Sequence, residues 1–411
     1  MNVLQVNNID LDGRRFNGYD LIAELKSRDV ECQQAVLTRR SSDPAVFSLW
    51  EGTVDEGIHG ALNRIETEHA MSNLLFPWLR LLTRREEFRN ADVIHYHLIH
   101  NQMTSLFDLP WLFQQKPSVV TFHDSWFLTG RCIQPQACQR WLTGCGECPA
   151  LSTVFPMRFD NTSQMWRVKR DVFAKLDADI VVASEHMLRM VQRSPITGHL
   201  EHVHLIPFGV RQNTYLPDEA RAESRRALRI PEDDFVILFR STTSEYKGLR
   251  YLIEALASRP PARPTTLLAV DERHGLRRLE GAYNVIELGW VEDAGLFQQM
   301  YSAADVLAMP STAEGFGMMA LEAMAAGRPV VCFEGTSVES VTHAPDCGLA
   351  VPLGDAAALR DALDMLASHP EEASRRGRLG RALASNVYSH ELYLDSLENL
   401  YRSAYERAKS R

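Results

Sequence analysis

Residues 306–333, VLAMPSTAEGFGMMALEAMAAGRPVVCF, decide the fold. The apolar run Val306 to Met309 stops at Pro310 and Ser311, and a polar, glycine-containing loop follows, STAEGFG. Met318, Met319, Leu321 and Met324 then recur at helical spacing, and Gly327 and Pro329 stand where a helix ends. A second apolar, β-branched run, Val330 to Phe333, closes the stretch. Strand, loop, helix, strand is a βαβ unit, so its strands are parallel and its crossover right-handed. Ligands of open α/β sheets sit at the carboxyl ends of the strands, which puts STAEGFG where a small molecule binds.

Two carboxylates give this unit its chemistry. Glu314 lies in the loop and Glu322 lies eight residues on, inside the helix. Between them Gly315, Phe316, Gly317 and Met318 offer backbone N–H groups at the positive end of the helix dipole, an arrangement that binds anions. Anion donors flanked by carboxylates suit a ligand carrying both phosphates and hydroxyls, that is, a nucleotide sugar. The competing reading is plain: a glutamate pair on a solvated helix face, with the Met and Ala positions as core.

At 411 residues the chain is expected to form two domains of similar size, and 45% hydrophobic with 24% charged residues is a globular composition. A net charge of −9 argues against a nucleic-acid partner. The most apolar stretch, 318–333, is interrupted by Glu322 and Arg328, well short of the ~20 residues a membrane span needs. The opening MNVLQVNNIDLDGRR has neither a basic leader nor a long apolar segment and reads as a first buried strand. A cytoplasmic protein with at most peripheral membrane contact is expected.

Residues 2–7 are a strand, followed by a loop with Gly13 and Gly18 and a helix from Tyr19 to Ser27; the loop is not G-x-G-x-x-G, so a dinucleotide site is not indicated. Residues 61–90 read as helix interrupted at Pro77, either core or a membrane-surface patch. The strand in ADVIHYHLIHN runs into His95, His97 and His100, and PSVVTFHD delivers His123 and Asp124 to a strand's carboxyl end. His123 there can donate to a sugar hydroxyl, or be a satisfied structural histidine. The segment 126–150 holds Cys132, Cys138, Cys145 and Cys148. Four thiolates with a closing C-x2-C suit a structural zinc, although the five residues between the first two exceed the usual spacing, and inert thiols are the alternative. Trp126, Phe127 and Trp141 of the same segment are either a surface for sugar rings or core.

A linker is expected at 208–220. Beyond it DFVILFRSTTSEYKGLRYLIEALA reads strand, polar loop, helix: Arg240 leaves the strand and Lys247-Gly248 opens the helix, two cations suited to a diphosphate. Strands at 265–270 and 284–290, a helix at 356–368 and a last helix at 390–411 complete the alternation.

These pieces resemble the retaining GT-B glycosyltransferases of the fourth sequence family. The resemblance rests on PFGV, FRSTTSEYKG, YSAADVLAMPSTAEGFGMMALEAMAAGRPVV, GTSVESV and CGLAVPLGD. It implies two Rossmann-like domains facing across a cleft, 1–207 with 390–411 and 208–389, the C-terminal helix crossing back to the first domain. It implies a sugar moved from a nucleotide-diphosphate donor to a glycan or lipid-linked acceptor, as in bacterial surface polysaccharide or lipopolysaccharide synthesis at the inner face of the membrane. By resemblance Arg240, Lys247, Glu314 and His123 are the catalytic set. Gly13, Gly18, Gly315, Phe316, Gly317, Met318 and Glu322 bind the donor, and His97 and Trp126 lie on the acceptor side. No cofactor is required for transfer, since the two side-chain cations do the work of a metal. The Cys segment is similar to an insert in some polysaccharide and lipopolysaccharide members. Two positions depart from the family: Gly13 is followed by Arg14 and Arg15, and Arg211 follows PFGV where many members carry Asp. A nucleotide-sugar epimerase on the same architecture, a silent nucleotide-sugar-binding protein and a metal-bound scaffold are the alternatives.

Overall fold

A computed structural model describes residues 1–411 other than Glu51, Val154, His274, Gly275 and Arg411. The chain forms two compact units, one of Met1–Ala183, Met187–Ile206 and Leu394–Arg411, the other of Ser184–His186 and Pro207–Tyr393.

The first unit is built on seven parallel strands: β1 (Asn2–Ile9), β2 (Glu31–Thr38), β3 (Val46–Ser48), β4 (Val93–Tyr96), β5 (Ser118–Thr121), β6 (Asp179–Val182) and β7 (Val203–Leu205). Their order is β3-β2-β1-β4-β5-β6-β7. The second unit repeats the plan with β8 (Phe235–Ser241), β9 (Thr265–Asp271), β10 (Asn284–Gly289), β11 (Val306–Met309), β12 (Val330–Phe333) and β13 (Leu349–Val351), in the order β10-β9-β8-β11-β12-β13. Counted from each unit's own first strand, both begin 3-2-1-4-5-6, the winding of a Rossmann fold. In the second sheet β11 and β12 are apolar along their whole length because helices cover both faces of a parallel sheet; all four residues of β12 are buried. Each such side chain contributes roughly 1.5–3 kcal/mol by burial. The opening stretch folds as read, β11, then a helix Met318–Ala325, then β12.

Two expectations need correction. The 61–90 region, expected as helix interrupted at Pro77, is divided further, into Thr53–Glu68, Trp78–Leu82 and Glu86–Asn90. The buried Glu66 carboxylate ends the first of these by accepting from the backbone N–H groups of Asn73, Leu74 and Leu75. Phe76, Trp78, Leu79 and Leu82 then enter the core. The expected linker at 208–220 is folded into the second unit. Val210 bridges to Ser389, Gln212 donates to the carbonyl of Ala325, and Asp218 pairs with Arg328 and Arg381. To these the structure adds that the Cys segment is ordered by two buried cations. Arg131 donates to the carbonyls of Ala150, Thr153 and Phe155, and Lys169 to those of Trp126 and Thr129.

Candidate functional site

In the second unit the chain winds outward in one direction from β8 through β9 and in the other from β11 through β12. The two carboxyl ends that part at this switch point carry the candidate site, and it is there that an α/β sheet leaves room for a ligand.

The loop after β8 and the loop after β11 are tied to each other. Thr312 N donates to the carbonyl of Tyr246 (2.8 Å). Gly248, with φ +71°, lies so close that an added Cβ would stand 1.8 Å from the carbonyl oxygen of Pro310. This approach brings Lys247 Nζ within 2.6 Å of Glu314 Oε1. Ser311 Oγ donates to the same oxygen (3.0 Å), and Ser337 Oγ holds the Glu314 carbonyl (2.6 Å). Lys247 and Glu314 are 24% and 11% exposed, an ion pair at the rim of the switch point rather than out in solvent. Arg240, at the end of β8, is 39% exposed and donates through Nε to Asp271 Oδ2 at the end of β9 (2.6 Å). Asp271 was not among the residues singled out from the sequence. The signal was its place, last in a strand that pairs with β8, Arg240 standing opposite Val270 and Ser241 opposite Asp271.

Gly317 caps the Met318–Ala325 helix at φ +109°, and no side chain caps this end. The first N–H groups of a helix have no partner within it, so the end is available to an anion. The Phe316 side chain is buried edge-on against Phe208 (5.3 Å between ring centres). Its contribution to a ligand is therefore limited to its backbone. Glu322 is 1% exposed, and Tyr301 donates its hydroxyl to Glu322 Oε2 (2.6 Å). A ribose would have to compete with that hydroxyl.

The first unit has its switch point between β1 and β4, and its chemistry is different. Gln5 Nε2 donates to the Tyr401 hydroxyl (3.3 Å), so that hydroxyl donates to His95 Nδ1 (2.7 Å) and His95 Nε2 donates to Thr121 Oγ1 (2.7 Å). Gln5 Oε1 accepts from His97 Nε2 (2.8 Å), which makes His97 Nδ1 the acceptor for His123 Nε2 (3.0 Å). The Nε2–H of His123 therefore goes to His97 rather than to a sugar hydroxyl. Burial keeps these rings neutral: it lowers His95 to about 3 and His123 to about 4, and puts His97 well below its ordinary value. Gly18, at φ +94°, packs against this network; a Cβ there would meet Gln5 Oε1 and His97 Nε2 at 2.9 Å. Gly13 lies in the preceding loop, whose fold is set by Asn17 donating to the carbonyls of Ile9, Asp10 and Asp12.

Trp126 offers no face to a ligand. It is 1% exposed, stacked on His100 (5.1 Å) with Lys169 Nζ 3.3 Å above the ring, and Phe127 and Trp141 join it in the core. Among the described residues no group of three or more His, Cys, Asp or Glu is placed to hold a metal ion. Burial raises the Cys132 thiol and pushes Cys145 up to about 12. The two Asp-x-Asp triplets are engaged as well: Asp10 accepts from the Arg40 and Ser41 amides, Asp12 pairs with Arg40, and Asp179 with His204 and Arg407. Among the described residues no helix is long and apolar enough to cross a membrane.

The two sheets with their helices are the two-domain, Rossmann-like GT-B fold. Residues 234–369, within the second unit, match the family described as glycosyl transferases group 1. A D-inositol 3-phosphate glycosyltransferase from Saccharomonospora viridis is 29% identical over 256 residues, covering 57% of this chain and 58% of that protein. The chain thus spans little more than half the length of this curated relative. Among solved structures, Anabaena HepE in complex with UDP and glucose aligns over 97% of this chain and 98% of its own (TM-score 0.67, 18% identity). WaaG, a glycosyltransferase involved in lipopolysaccharide biosynthesis, aligns over 97% and 99% (TM-score 0.67, 15% identity).

Proposed function

We propose that this protein is a retaining, metal-independent glycosyltransferase that moves a sugar from a nucleotide-diphosphate donor to a glycan or lipid-linked acceptor in bacterial surface polysaccharide synthesis. One observation carries the reading. The part of the chain that matches glycosyl transferases group 1 is the part whose switch point gathers Lys247, Glu314, Arg240 and an uncapped helix end.

The diphosphate lies against the amides of Gly315 to Met318, with Lys247 and the outer edge of Arg240 beside it. Glu314 gives up Lys247 to the phosphate and orients the sugar hydroxyls, and Glu322 exchanges the Tyr301 hydroxyl for those of the ribose. In the transfer the bond from the anomeric carbon to the β-phosphate oxygen breaks, and its electron pair stays on the diphosphate. The acceptor oxygen bonds to that carbon from the same face, and its proton passes to the departing phosphate oxygen. The cations stabilise the charge that develops on the diphosphate, and such preorganised charge stabilisation supplies most of the rate enhancement in many enzymes. His123, oriented by His97, serves the acceptor.

A melting-temperature panel of UDP-, GDP- and ADP-sugars tests the donor. The right one at a hundred times its dissociation constant adds about 2.7 kcal/mol of stability. If none shifts the transition, the reading is wrong. Incubation of the donor that binds, with and without glycan acceptors, then separates transfer from epimerisation and from binding alone. NMR of the product's anomeric proton reads retention or inversion.

A further inference from the structure

We propose that Asp271 is a positioning residue for Arg240, turning the guanidinium so that its terminal Nη groups meet the donor's diphosphate. The inference rests on the donor site proposed above and adds to it a residue from the neighbouring strand.

Three observations lead to it. The contact is made through Nε alone, at 2.6 Å, and the two Nη groups have no hydrogen-bond or ion-pair partner among the described residues. A guanidinium held at Nε has its plane fixed while its forked end stays available, the geometry for paired hydrogen bonds to phosphate oxygens. Second, Asp271 has φ +91°, in the left-handed region where glycine is at ease and a branched side chain is strained. Nothing in the chain reversal at this point needs a side chain, so glycine would serve the backbone better. Such strain is retained where the residue has work to do.

Third, the neighbouring residue holds the rest of the loop. Glu272 accepts from Thr242 Oγ1 (2.9 Å), Thr243 N (3.0 Å) and Thr243 Oγ1 (3.3 Å), and its own N–H donates to the Ser241 carbonyl (2.8 Å). Those hydrogen bonds keep the Glu272 carboxyl below its ordinary value. Asp271 and Glu272 thus both hold the segment 240–243, one through the Arg240 guanidinium and one through Thr242 and Thr243. Asp271 also has an electrostatic consequence: it neutralises part of the charge that would attract a diphosphate. A residue kept only to tighten ligand binding would not carry that sign.

Orientation and attraction are therefore opposed, and the opposition makes the test decisive. Asp271→Asn keeps the size and removes the charge. Asp271→Gly removes the side chain and relieves the backbone, so it stays folded if the asparagine variant does not. Calorimetry with UDP, GDP and ADP and turnover of the matching sugar nucleotides are measured on both. Expected are nucleotide binding as tight as in the parent or tighter, kcat lower by about tenfold or more with KM not raised, and a higher Tm for Asp271→Gly. Parental kcat in both variants overturns the proposal, and so does a proportional loss of binding, turnover and Tm, which is what a merely structural residue gives. If the parent itself binds and turns over none of the three nucleotide series, the donor reading has failed and Asp271 falls with it; parental activity untouched by either variant sinks Asp271 alone.

Discussion

The two units share a winding order but have filled their switch points with opposite chemistry. Between β1 and β4 the side chains are neutral, buried and satisfied by one another, from Tyr401 through Gln5 and His97 to His123. Between β8 and β11 they are charged, partly exposed and paired across neighbouring loops, next to a helix end that no side chain caps. The first arrangement suits a rigid surface for an uncharged, hydroxyl-bearing partner. The second suits an anion that arrives, exchanges ion pairs and leaves. One winding order thus carries two kinds of crevice, because topology fixes only where a crevice lies and the residues lining it set its chemistry.

The comparison breaks most readily at the charged end. Lys247→Ala or Arg240→Ala should lower turnover by on the order of 10²–10³, the loss seen when one stabilising donor is removed from a developing charge. Melting temperature should hardly move, since both side chains are partly exposed and their ion pairs are worth little to stability. Steady-state rates beside a thermal melt check both halves. Turnover within threefold of the parent for both variants would remove the charge-stabilising role.

Acid should find the neutral end first. The unfolded histidines take up protons below about pH 6.5. In the folded first unit His123 does so only near 4 and His95 near 3. Between those limits the unfolded state binds more protons, so stability falls as pH drops, by at most about 1.4 kcal/mol per pH unit for each such histidine. Glu66, raised by burial, takes its proton early in the folded state and opposes the trend by one group, while Asp124, lowered, adds to the loss only at still lower pH. Six of the seven tryptophans lie in the first unit, so urea titrations followed by fluorescence report on it. Stability that is flat from pH 7 to 4.5 would mean that the network is not neutral and closed. His95→Gln should flatten the slope by close to one proton.

How much of this could be read from the chain depends on whether partners are near in sequence. The 306–333 stretch announces itself because strand, loop and helix are consecutive, and the apolar period switches in view. Lys247 and Glu314 stood out for the same reason, each in a loop just after a strand. Asp271 did not, because it meets Arg240 only through the pairing of β8 with β9, and a strand-end aspartate looks like any turn residue. Gln5 and Tyr401 are 396 residues apart, joined only once the C-terminal helix packs in the first unit. The order of the Cys segment was hidden for a related reason. The segment 126–155 is held by Arg131 and Lys169, whose carbonyl acceptors leave no mark in a sequence. Trp126 looked like a sugar platform because an aromatic beside a strand end is one when exposed; burial decided otherwise.

The smallest effects separate the two crevices again, through a glycine that caps a helix in each, Gly18 and Gly317. Both have left-handed φ, so alanine at either costs about 1 kcal/mol for the backbone alone. At Gly317 the new methyl would approach only a Val338 methyl, 3.1 Å away, a side chain able to shift by a few tenths of an ångström. At Gly18 it would meet Gln5 Oε1 and His97 Nε2 at 2.9 Å, two atoms already bonded to each other, so the collision cannot be relieved without opening the network. Gly18→Ala should therefore cost roughly 2–3 kcal/mol, and Gly317→Ala about 1. Chemical denaturation of the two variants measures the gap. If Gly317→Ala proves the costlier, the second crevice is the more rigid of the two, and the contrast between a closed network and an open anion site has been drawn the wrong way round.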